Sequence, residues 1–207
     1  MTLIAVGDSL INADRSWAYW LARTVDETLE RVSIGGATSS SVIDQLPALA
    51  GRRFGVACLT VGTNDVLFDW SPGVFEDNLK TIVAGLHECA DRVVTQTIPL
   101  SLGYFPGSGL EIRRRVTVAN EILRSSDTLV VQGSDLRGSR TLSPDRVHPS
   151  VVGQLVLADR AADLLGITPP PSSLHDGSRE FRPFDYLGMG ASQIPKRLVK
   201  RALGRPF

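Results

Sequence analysis

Residues 1–17 read MTLIAVGDSLINADRSW. Leu3 to Val6 is an unbroken apolar run, too short for a helix, and Gly7 and Asp8 punctuate its end. A short apolar run without alternation reads as a strand covered on both faces, as in a parallel sheet. Ser9 then stands at the mouth of that strand. Alone it carries no message, because turn serines cap helices or bond their own backbone. Its meaning depends on partners at equivalent places further along the chain.

The same pattern recurs. Arg31 to Ile34, Val56 to Val61, Arg92 to Ile98 and Thr128 to Val131 are strand candidates, and most are continuously apolar. Helical patterns lie between them near 16–29, 40–50, 73–90 and 110–125, and a last one follows His148, with Pro149 suited to its first turn. Strands alternating with helices imply βαβ units, a parallel sheet and helices on both faces.

The 207 residues are 43% hydrophobic and 21% charged, with zero net charge. That suits one domain and gives no electrostatic sign of nucleic acid. No apolar stretch approaches the roughly 20 residues of a membrane span. The N-terminus lacks the basic and long apolar regions of a secretory signal. Cys58 and Cys89 read as buried thiols, so a cytoplasmic protein is expected. Residues 1–166 form the expected domain. Residues 167–207 form a Pro/Ser-rich linker and a basic tail. The five cations Lys196, Arg197, Lys200, Arg201 and Arg205 give the segment from Tyr186 a charge of +5. Residues 1–185 hold the remaining 17 basic residues against 22 acidic ones, or −5. Ile194, Leu198, Val199, Ala202 and Leu203 recur at helical spacing among those cations. Residues 194–205 can therefore meet a membrane surface or protein partner, or pack on their own domain. Oligomeric state is not legible.

In open α/β sheets, functional groups gather outside the carboxyl ends of the strands. The loops there carry a set of chemically related residues. Ser9 follows the first strand, Gly35 and Gly36 the second, Asn64 and Asp65 the third, and Asp145 and His148 lie beyond the fifth. A serine hydroxyl becomes a nucleophile when a base in hydrogen-bond reach takes its proton. His148 can be that base, and Asp145 can fix its tautomer and stabilise its cation. The backbone N–H of Ser9, an N–H of the Gly35–Gly36 turn and the Asn64 amide can stabilise an oxyanion, though the two glycines can equally do no more than shape that turn. Glycine is apt there because a missing Cβ lets backbone approach a ligand.

These blocks, GDSL at 7–10, Gly36, GTND at 62–65 and DRVHP at 145–149, resemble the GDSL or SGNH hydrolase family over roughly residues 3–166. The resemblance implies a flavodoxin-like three-layer α/β/α sandwich with a five-stranded parallel sheet of order 2-1-3-4-5. It implies ester or thioester hydrolysis through a serine acyl-enzyme, with no metal or organic cofactor. The catalytic set would be Ser9, Asp145 and His148, and the oxyanion hole Ser9, Gly36 and Asn64. The expected substrate is a small acylated metabolite, lipid or acylated sugar. Where the family often has glycine after the aspartate, this chain has Arg146. The site is not a G-x-S-x-G elbow, because Leu10 and Ile11 follow the serine.

Other residues keep plainer readings. Asp8 bonds loop amides, Asp65 is a structural loop acid, and Thr38 and Ser39 start a helix. His87 and His175 carry no chemistry. Leu10, Val66, Tyr104 and Val147 are candidate substrate-binding residues, with Leu67, Phe68, Trp70 and the loop around 102–105 as further lining. All of these can equally pack as core. Two rival functions share the scaffold: acyl transfer through the same residues, and a non-catalytic ligand-binding module.

Overall fold

A computed structural model describes residues 2–102 and 109–175. In chain order the elements are β1 (Leu3–Gly7), α1 (Ser9–Asn12), α2 (Trp17–Thr24), β2 (Leu29–Ser33), α3 (Ser39–Ile43), β3 (Phe54–Thr60), α4 (Thr63–Phe68), α5 (Pro72–His87), β4 (Ala90–Gln96), α6 (Gly109–Ser125), β5 (Leu129–Val131), α7 (Gly138–Thr141) and α8 (Val151–Leu165), with 3-10 turns at Leu46–Leu49 and Pro171–Leu174. All strand pairs are parallel and the order is β2-β1-β3-β4-β5. This is the expected five-stranded sheet.

Alternate side chains of the central strands feed two cores. Ile4, Val6, Ala57 and Leu59 face one layer with Val42, Phe75, Leu79, Ile82 and Val116 from the helices. Leu3, Ala5, Val56 and Cys58 face the other with Trp17, Leu21, Leu155 and Ala158. Helices α3, α5 and α6 thus cover one face, and α2 and α8 cover the other. Burial on both faces explains why β1 and β3 read as continuous apolar runs. Edge strand β2 is only half-buried and carries Glu30 and Arg31. Cys58 and Cys89 are free and buried, as expected.

Several boundaries differ from the sequence reading. The pattern near 16–29 yields a helix only to Thr24, because the chain turns at Asp26 (φ 52°) and pairs with β1 from Leu29 onward. The pattern near 40–50 splits into α3 and a 3-10 turn. Pro47 has no N–H for an α-helical bond and its ring opposes continuation. Pro149 lies before α8 rather than in its first turn. Ser150 is the N-cap, accepting from the Gly153 N–H, while Pro149 bridges to Leu142.

Past α8 the chain packs as a strap. Pro171 is buried, the Ser172 N–H donates to Asp159, and the His175 ring meets Trp20 edge-on at 5.9 Å. Residues 176–207, including the basic segment, and the 103–108 loop with Tyr104 and Phe105 lie outside the described residues. No helix among the described residues is long and apolar enough to cross a membrane.

Candidate active site

The site is assembled where sheet order reverses. β1 is flanked by β2 and β3, so the loops leaving their carboxyl ends are neighbours. Ser9 leaves β1 as the first residue of α1, with Asp8 as its cap. Asp8 Oδ1 accepts from the Leu10 N–H at 3.0 Å and from the Thr60 hydroxyl at 2.9 Å. Its other oxygen is buried without a partner, and burial raises its pKa to about 6. Asp8 has the structural role expected for it.

The loop after β2 passes beside Ser9. A Cβ built on Gly35 would lie 4.0 Å from the Ser9 Cβ, and the Ile34 N–H donates to the Gly7 carbonyl at 3.0 Å. Gly36 has φ 82°, where an L side chain is strained. After β3, Gly62 turns at φ 100° to start α4, which presents Asn64 in its first turn. The Asn64 Nδ2 donates to the Ala37 carbonyl at 2.9 Å, leaving one amide hydrogen for another acceptor. Neither the Ser9 N–H nor the Gly36 N–H has an acceptor among the described residues.

His148 arrives from the turn between α7 and α8. Asp145 organises that turn through one oxygen, accepting from the Val147 and His148 N–H groups at 2.9 and 3.0 Å. Its other oxygen lies 2.6 Å from His148 Nδ1, and His148 Nε2 lies 2.8 Å from Ser9 Oγ. With a carboxylate at Nδ1, the proton belongs on Nδ1, and Nε2 is left to accept from the Ser9 hydroxyl. Burial pushes the Asp145 carboxyl up, but its bonds to His148 and the backbone outweigh that and hold it low. The bond to Asp145 and the nearby Asp8 charge raise His148. Arg146 takes φ 58° in this turn.

The structure therefore brings together Ser9, His148 and Asp145 in hydrogen-bonding line, with Gly36 and Asn64 on the adjacent loops. Of the candidate substrate contacts, Leu10 and Val66 are buried, and Val66 is part of the core; Val147 is half-buried against that core, and Tyr104 is outside the described residues. A cavity of about 260 Å³ between α5 and α6, floored by Leu79, Val83 and Ile122, is lined by none of the site residues. Two contacts went unread in the sequence, although Asp65 as a structural loop acid and Thr38 and Ser39 as a helix start are as expected. Gln154 is buried on α8 and joins both elements around Ser9, donating to the Leu10 carbonyl at 3.2 Å and accepting from the Trp17 N–H at 2.8 Å. A lone glutamine in the apolar run VVGQLVLA was its signal. Ser39 and Asp65 form a buried cluster described below.

The model of the GDSL-like lipase/acylhydrolase family matches residues 5–156. No curated protein matches the chain. Among solved structures, a member of the lipolytic protein G-D-S-L family from Veillonella parvula DSM 2008 is 16% identical with a TM-score of 0.64, covering 80% of this chain and 98% of that one. LAE5, an alpha/beta hydrolase enzyme from the metagenome of Lake Arreo, Spain, is 20% identical with a TM-score of 0.64, over 80% of this chain and 94% of that one. An acetylxylan esterase from Geobacillus stearothermophilus is 17% identical with a TM-score of 0.58, again over 80% and 94%. These likenesses carry the fold, and the family match over residues 5–156 carries membership: the chain belongs to the GDSL-like lipase/acylhydrolase family and is a carboxylic ester hydrolase of the GDSL/SGNH type.

Proposed function

We propose that the chain hydrolyses small acyl esters or thioesters through an acyl-enzyme on Ser9. The observation that carries this reading is the continuous line from Ser9 Oγ to His148 Nε2 at 2.8 Å and from His148 Nδ1 to Asp145 at 2.6 Å. In the first half-reaction Ser9 Oγ attacks the acyl carbon while its proton passes to Nε2. The electron pair of the carbonyl moves onto its oxygen, where the Ser9 N–H, Gly36 N–H and Asn64 amide stabilise it. The intermediate collapses, the bond to the leaving alcohol or thiol breaks, and the leaving group takes the proton from Nε2. Water then repeats the sequence on the ester at Ser9, with His148 again base and then acid. Asp145 holds the tautomer and stabilises the imidazolium.

The Ser9 and Gly36 N–H groups, on two neighbouring loops and without an acceptor among the described residues, support the oxyanion assignment, since such donors must point at the developing charge before it forms. The acetylxylan esterase among the structural neighbours makes short acyl groups on sugars a natural first class to assay, beside lipid and metabolite esters. A p-nitrophenyl ester series of rising acyl length tests the reading on wild type and Ser9→Ala. The expected result is serine-dependent turnover with a chain-length preference, abolished in Ser9→Ala without loss of fold. Full turnover in Ser9→Ala overturns it.

A further inference from the structure

Asp65 takes no part in the proton relay, yet it is almost fully buried and strongly engaged. It follows Asn64 in the first turn of α4, and the two side chains reach the same loop. Asn64 donates to the Ala37 carbonyl, one residue past Gly36. Asp65 accepts the Ser39 N–H on both carboxylate oxygens at 3.0 Å and the Ser39 hydroxyl at 2.5 Å. The Ser39 oxygen in turn accepts from Asn78 Nδ2 of α5 at 3.0 Å, and the same amide reaches the Ser40 hydroxyl. Ser39 is 0% and Asp65 5% exposed, so no water competes for these bonds.

Gly36 cannot stiffen its own loop. It takes φ 82°, a conformation open mainly to glycine, and a Cβ there would meet nothing within 4 Å. Its loop is tied to β1 by the Ile34 N–H on the Gly7 carbonyl, closed by the Ala37 N–H on the Ile34 carbonyl, and tied to α4 at Ala37 and Ser39. Of the two ties to α4, only the one at Ser39 is made by a group other than the oxyanion donor Asn64 itself.

We propose that Asp65 is a positioning residue for the oxyanion hole: by clamping Ser39 to α4 it sets the separation between the Gly36 N–H and the Asn64 amide. This rests on the Ser9 acyl-enzyme reading. Oxyanion donors act at 2.7–3.1 Å from the developing charge, and a misplacement near 1 Å can cost about a hundredfold. The clamp links two strands' loops that nothing in the proton relay connects.

Asp65→Asn keeps the shape but places an NH2 group against the donors of Ser39. In the full chain, kcat is expected to fall about ten- to hundredfold with KM nearly constant. The inhibition constant of an alkylboronic acid, which makes a tetrahedral adduct on Ser9, should rise by the same factor. The pH midpoint of activity should stay where it is, because His148 is untouched. Ser39→Ala keeps the N–H bonds and loses the hydroxyl, so it should show the same pattern more weakly; it also serves if Asp65→Asn does not fold. In an Asn64→Ala background, Asp65→Asn should cost much less than in wild type, since one of the two donors it aligns is gone. Wild-type kcat in both single variants, or a loss that only tracks the unfolded fraction, overturns the clamp, as does full additivity with Asn64→Ala. Unchanged kcat in Asn64→Ala would instead remove the oxyanion hole itself, and the clamp with it.

Discussion

Two carboxylates, Asp145 and Asp8, set the charge of His148. The hydrogen bond to Asp145 and the charge of Asp8 both favour imidazolium, so His148 titrates above its ordinary 6.5. As a base it must be neutral, and kcat/KM should therefore climb through an acid limb with its midpoint above 6.5. Asp145→Asn should move that midpoint down and lower kcat by about 10³- to 10⁴-fold, read from a pH–rate profile. A wild-type midpoint at or below 6.5 would contradict this assignment. Asp8 poses the opposite problem. Its pKa is raised from 3.8 to about 6 because the ionised form is buried with one oxygen unpartnered. A raised folded-state pKa means stabilisation that is complete below the unfolded value and lost as pH rises through about 6. Asp8→Asn keeps an oxygen for Leu10 and Thr60 and removes the charge. Its effect on unfolding free energy should be more favourable at pH 8 than at pH 4 by about 1–3 kcal/mol, measured by urea titration at both. No difference between the two pH values would show that Asp8 is not ionised at a cost.

At the scale of elements, the turn that carries His148 depends on close contact with α8. A Cβ on Gly153 would sit 2.0 Å from the Thr141 carbonyl oxygen, and the Ser150 N–H donates to that same carbonyl at 3.0 Å. Gly153→Ala should lower stability by about 3 kcal/mol in thermal or urea unfolding and cut activity as well, because backbone cannot yield as a side-chain end can. An unchanged melting temperature would disprove the packing argument. The long elements were legible in the sequence because burial writes a period into it: apolar runs in β1 and β3, and helical spacing in α5 and α6. The short ones were not. α1, α4 and α7 span four to six residues, less than two turns, so no period can develop. They form through local capping and turn geometry, as Asp8 does for α1 and Gly62 for α4. The break in the pattern near 40–50 was written in Pro47, which outweighed the apolar spacing around it.

At the scale of the described domain, one core lies on each face of the sheet, and the candidate site sits where β1 separates the backward and forward windings of the chain. The loops of Ser9, the Gly35–Gly36 pair and Asn64 were legible because each leaves the end of a strand, and strand order then makes them neighbours; Gly36 was singled out from Gly35 by the family resemblance alone. His148 and Asp145 come from the turn before α8, and the three-residue spacing that joins them was visible as well. The supporting contacts were not, since Gln154 to Leu10 and Trp17, and Asp65 to Ser39, join residues far apart in the chain with no local pattern. The central claim is that Ser9 is an activated nucleophile, and the most direct measurement is intact-protein mass spectrometry after exposure to a fluorophosphonate, with the modified peptide mapped. One adduct on wild type, located at Ser9 and absent from a folded Ser9→Ala, is the predicted result. A folded wild type that takes no adduct, or equal labelling of Ser9→Ala, would contradict it.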